Sequence, residues 1–266
     1  DMTIIVTERG NELNRRACPA SKNNTCVHCK VCSITSGFAG AGAFSDGKFN
    51  LGTAYGGTLG EELGDDVANR YINEVDKILV EYCTSGVPKV YESNDELRLK
   101  CIQNNLRLLD MNVKHLGTDN NYVTMQNLIN AIRESGTELY SFYDCEKIEK
   151  CTDGYVAYYT NGEAIECKNI IIATGRSGAN FVSSFCKANG VKMRSNHIDI
   201  GVRVEMKDII WREFSSKIYE PKILYKTKTF EDRCRMFCFN QGGLVSAENN
   251  HGIITANGHS YAQPEK

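Results

Sequence analysis

The chain has 266 residues, 41% hydrophobic and 24% charged, the make-up of an ordinary globular protein with room for one or two domains. Its 31 basic and 33 acidic residues leave a net charge of −2, so no bulk field favours nucleic acid or an anionic membrane as partner. No apolar run approaches the ~20 residues that a membrane helix needs.

Thr3–Thr7 is a short β-branched run, expected as a buried parallel strand ending at Glu8-Arg9-Gly10. Residues 11–36 are polar and cysteine-rich, an irregular excursion, and a glycine loop follows to Gly57. Val67, Tyr71, Val75, Ile78, Leu79 and Tyr82 recur at helical spacing and predict a helix over 61–83. Further helices are expected over 95–105 and 122–134, the latter stopped by Gly136. The period then changes. Segments 139–143, 145–151, 155–160 and 164–167, punctuated by Asp153-Gly154 and Asn161-Gly162, predict a β-meander. Asn169–Gly175 reads as a fully buried strand, 179–189 as a helix and Ile198–Met206 as an alternating strand, with short β segments over 222–256. Both ends read as cut, so the chain is expected to be an internal piece of a longer protein.

Two constellations carry chemistry. The first is the loop Gly40-Ala41-Gly42-Ala43-Phe44-Ser45-Asp46-Gly47-Lys48, whose small residues let backbone amides approach a ligand. Its competing reading is a tight surface turn. The second is Cys18-x7-Cys26-x2-Cys29-x2-Cys32. Two successive C-x2-C steps suit an iron–sulfur cluster, four thiolates also suit tetrahedral zinc, and a cluster of free thiols is the third alternative. Lys22 and Lys30 would favour thiolates there, with His28 a bystander. The other cysteines, among them Cys83, Cys101, Cys145, Cys167, Cys186 and Cys238, read as small buried hydrophobes, and the expected compartment is a reducing cytoplasm. His197, His251 and His259 are unordered into any triad and read as non-catalytic. Arg203 could bind a substrate carboxylate or project from a sheet, and Arg176 could neutralise a phosphate or cap a helix.

Glu8 at a strand end suits hydrogen bonds from ribose hydroxyls. The order strand–Glu8, excursion, meander and Ile170-Ile171-Ile172-Ala173-Thr174-Gly175 resembles FAD-dependent flavoproteins with a glutathione-reductase-like Rossmann domain. Gly40–Lys48, Ile198-Asp199-Ile200-Gly201-Val202-Arg203-Val204-Glu205 and Phe237-Cys238-Phe239-Asn240-Gln241-Gly242-Gly243 narrow the resemblance to the FAD-dependent dehydrogenases of bacteria and archaea. It implies an α/β fold: a partial FAD-binding Rossmann-type domain over 1–190, with the excursion 11–36 and a helical insertion 61–135, and an inserted β-rich substrate or cap domain over 191–266. It implies FAD held by Glu8, Arg9, Gly40, Ala41, Gly42, Ser45, Asp46, Gly47, Lys48, Cys145, Thr174 and Gly175. The implied function is an FAD-dependent oxidoreductase acting on a small-molecule substrate or electron donor. If Cys18, Cys26, Cys29 and Cys32 hold an iron–sulfur cluster, it would exchange single electrons with the flavin. The rival from another class is a non-catalytic nucleotide- or protein-binding module stapled by zinc on those cysteines.

Overall fold

A computed structural model describes residues 2–23, 25–110, 112–195, 198–250 and 253–259. The fold is mixed α/β, with several two- and three-stranded sheets rather than one large one among the described residues. The chain forms two compact units, residues 1–43 with 126–200, and residues 44–125 with 201–266. This differs from the expected division at residue 190. The stretch 44–125 shares a core with the C-terminal residues, since Leu97, Cys101 and Leu108 pack with Ile218 and Ile223.

In the first unit, strand Ile5–Glu8 pairs in parallel with Glu138–Ser141, Glu8 lying opposite Ser141. The meander forms as its turn residues dictate: Cys145–Cys151, Gly154–Tyr159 and Ala164–Cys167 are antiparallel neighbours. Ile148, Ala157 and Tyr159 make its core, and Phe181 and Phe185, one turn apart on helix Ala179–Ala188, pack against it. Two expectations change here. Ile4, Ile5 and Val6 are exposed, because the parallel pair has no third strand and no covering layer among the described residues. Asn169–Gly175 forms no strand: Ile170 and Ile172 pack on the meander core while Ile171 is 91% exposed. A fully buried strand needs a ladder partner to satisfy its amides and carbonyls.

In the second unit, the expected helix over 61–83 breaks at Gly64 into Leu59–Leu63 and Asp65–Glu81. Tyr71, Val75 and Ile78 of its apolar stripe are exposed. Helix Asp95–Gln103 is capped by Asn94, whose side chain accepts the Leu97 amide. The expected helix over 122–134 starts earlier, at Thr118. Helix Asp208–Lys217 was not legible, and Ile198–Met206 joins no sheet among the described residues. Strands Lys48–Asn50, Val90–Tyr91 and Val113–His115 form one antiparallel sheet. Arg107–Leu108, Ile223–Lys226 and Arg233–Arg235 form another.

Arg16 anchors the end of the cysteine-rich excursion. Its buried guanidinium donates to the carbonyls of Ser33 at 2.8 Å, Ile34 at 2.7 Å and Phe38 at 2.7 Å. Replacing it by Met strands three carbonyls. Arg16→Met is expected to cost about 2–4 kcal/mol in urea denaturation and to open residues 33–38 to limited proteolysis.

Candidate functional site

The first unit places Glu8 and Arg9 at the carboxyl end of a parallel strand. Glu8 Oε1 accepts the amides of Gly10 and Gly37, each at 2.9 Å. Both glycines are needed for close approach, because a Cβ on Gly10 would lie 2.5 Å from the Gly37 nitrogen. Neither amide uses Glu8 Oε2. Arg9 Nε is buried and has no hydrogen-bond partner among the described residues. Gly40 and Gly42 have open space where a Cβ would stand. Ala41 and Gly42 lie in the 3-10 turn Ala41–Phe44. Cys145 opens the meander, and burial pushes its thiol up. Thr174-Gly175 leads into helix Ala179–Ala188, and the Thr174 side chain lies against Gly178 so closely that a Cβ there would meet Oγ1 at 2.1 Å.

The second unit joins the three separated motifs into one polar network. From the glycine loop come Asp46 and Lys48, whose ammonium lies 3.1 Å from the Asp46 carboxylate and 2.8 Å from the buried Glu220 carboxylate. Lys48 also donates to the Phe239 carbonyl at 2.6 Å. Asn240 Nδ2 donates to Asp46 at 3.2 Å. Arg203 donates to Asn240 Oδ1 at 2.7 Å and to the Cys238 carbonyl at 2.8 Å. Arg203 is thus committed to the 237–243 segment. Cys238 itself has φ of +57°, in the left-handed region. Gly258 presses on this knot: a Cβ there would lie 1.6 Å from Arg203 Nη2. Ser45 and Gly47 bracket Asp46, and the Gly47 amide donates to the Ser45 hydroxyl at 3.3 Å.

Burial and neighbouring charges act together on the protonation states. Although burial pushes Lys48 down, Glu220 and Asp46 outweigh it and hold its ammonium above the ordinary lysine value. Lys222 goes the other way. It lies 4.3 Å from the Tyr55 ring centre, 4.7 Å from that of Phe237 and 3.4 Å from Glu220. Burial draws it below the usual range despite Glu220, and Arg235 and Lys48 push the same way. Burial lowers His115 to about 4, against the pull of Asp46. Its ring stacks on Tyr219, whose hydroxyl is 2.7 Å from Nε2.

His115, Tyr219, Glu220 and Lys222 were missed by sequence reasoning. The only signal was a pair of charged residues in the apolar run Ile218–Leu224, where a strand core wants none. Of the histidines considered, His197 and His251 lie outside the described residues, and His259 ends strand Ile253–His259. The four cysteines are not gathered. Cys26, Cys29 and Cys32 are exposed, Cys18 is half-buried, and no group of three or more metal-ligating side chains forms among the described residues. The arrangement therefore does not fit a tetrahedral thiolate site, which needs its sulfurs converging on one point. The Cys32 thiol is pushed up by burial, yet hydrogen bonds from Ile34 and Thr35 bring it below its ordinary value. No helix among the described residues is long and apolar enough to cross a membrane.

No family model matches the chain. It is similar to an uncharacterized protein of Clostridium beijerinckii, 25% identical over 270 aligned residues, covering 97% of this chain and 44% of that protein. The chain thus spans less than half the length of the relative it matches.

Two outcomes follow from the buried charges. Lys48→Met removes the buried cation between Glu220 and Asp46 and is expected to destabilise the protein by about 3–5 kcal/mol in urea denaturation. His115 is neutral in the fold and protonates more readily when unfolded. The unfolded state therefore takes up a proton first, and stability falls as pH drops from 6.5 to about 4, then levels. His115→Gln is expected to flatten that window relative to the parent, by at most about 1.4 kcal/mol per pH unit.

Proposed function

We propose that the chain is the flavin-binding part of an FAD-dependent oxidoreductase. The observation that carries this reading is the carboxyl end of the parallel strand pair, with Glu8, Arg9 and two glycine backbones drawn together. Open α/β sheets bind nucleotides at the carboxyl ends of parallel strands. The donor set there has the chemistry for a dinucleotide. Glu8 Oε1 is held by the Gly10 and Gly37 amides, which fixes the carboxylate so that Oε2 can accept a ribose hydroxyl. The buried Arg9 Nε lacks a hydrogen-bond partner among the described residues, and a phosphate oxygen would satisfy it.

FAD, when bound, supplies two-electron or hydride chemistry to a small-molecule substrate or electron donor. The chain's own residues orient and hold. Arg203 and Lys48 pin successive carbonyls of Cys238 and Phe239, giving the 237–243 segment one backbone course. That the three motifs of the resemblance meet in a single network supports the same reading. It assigns no step to Cys18, Cys26, Cys29 and Cys32.

The test is the visible spectrum of the intact natural polypeptide purified without oxygen. A flavin spectrum, with free FAD released on denaturation, is expected. Glu8→Ala and Arg9→Ala are each expected to weaken FAD binding by roughly tenfold or more, read by flavin fluorescence titration. A colourless protein that takes up no FAD overturns the reading.

A further inference from the structure

Val202, Val204 and Met206 are 88%, 62% and 47% exposed, on a segment that pairs with no strand among the described residues. The residues between them are fixed. Arg203 is held by Cys238 and Asn240, and the Glu205 carboxylate accepts the Val245 amide at 3.3 Å. Side chains alternate along such a segment, so pinning Arg203 and Glu205 to the unit turns the apolar residues away from it. The same alternation runs back in sequence through Ile200 and Ile198, and Ile209 and Ile210 on the following helix are exposed as well. The segment is patterned as a strand with one apolar face, and among the described residues it has neither a ladder nor a cover. An uncovered apolar row of this kind marks an interface.

We infer that Val202–Met206 is a strand of a sheet completed by polypeptide that flanks these 266 residues in the natural protein, and that this polypeptide covers Val202, Val204 and Met206. Two observations favour that occupant. The relative is matched over 97% of this chain but 44% of its own length, so more than half of it lies outside the match and is long enough to supply both a strand and a layer. Three apolar side chains also offer far less than the ~1,200 Å² that a stable interface between separate molecules buries. A covalently tethered segment needs no such area, because its effective concentration is already high. The inference is independent of the cofactor, since it rests on alternation, exposure and length.

The test places the photo-crosslinking residue p-benzoylphenylalanine at position 204 of the full natural polypeptide. After irradiation, a cross-link within one polypeptide to a residue outside these 266 is expected, located by peptide mass spectrometry. A dimer-sized product, a cross-link confined to these 266 residues, or no cross-link overturns the inference. As a second measurement, the double variant Val202→Asp with Val204→Asp in the full polypeptide is expected to lose soluble yield several-fold. Unchanged yield and an unchanged melting temperature would also overturn it, because charges on an uncovered row cost little.

Discussion

A buried ammonium organises the unit built from residues 44–125 and 201–266. Lys48 is nearly sealed from solvent, and an unpaired charge there would cost several kcal/mol. It is tolerable only because Asp46, Glu220 and the Phe239 carbonyl close around it. Two of those partners have a further task. Asp46 receives Asn240, which receives Arg203, while Glu220 faces Lys222. The backbone geometry of the 237–243 segment, including the left-handed Cys238, follows from these commitments rather than from local preference.

The other unit is organised by a carboxylate instead. Glu8 ties the end of its strand to Gly10 and, across the excursion, to Gly37, while Arg16 ties the far end of the excursion by three carbonyls. Between them they fix where the excursion starts and stops, leaving the cysteine run Cys26–Cys32 at the surface. The first unit is thus held by an acid that gathers amides and a base that gathers carbonyls, and the second by a base that gathers carboxylates.

Local chemistry was legible and long-range completion was not. The meander could be read because Asp153-Gly154 and Asn161-Gly162 encode turns and the strands alternate, all within neighbouring residues. Gly136 correctly ended its helix. Asn169–Gly175 and Ile198–Met206 carry strand patterns but gain no partner among the described residues, and pattern alone cannot provide one. Helix Asp208–Lys217 was missed because its apolar residues, Ile209, Ile210, Trp211 and Phe214, are few and clustered. In the site, Glu8, Asp46, Lys48 and Arg203 stood out through their motifs. Glu220 and His115 did not, because a burial-matched charge pair is a tertiary fact with no local signature.

The contact from Lys48 to Phe239 spans 191 positions along the chain. That separation bears on the order of events during synthesis. The meander hairpins close over a handful of residues and can form as soon as they emerge. The unit around Lys48 cannot close its charge until residue 239 has left the ribosome. Until then the nascent chain carries a solvated lysine and an unclosed sheet. The second unit is therefore the last to close during synthesis.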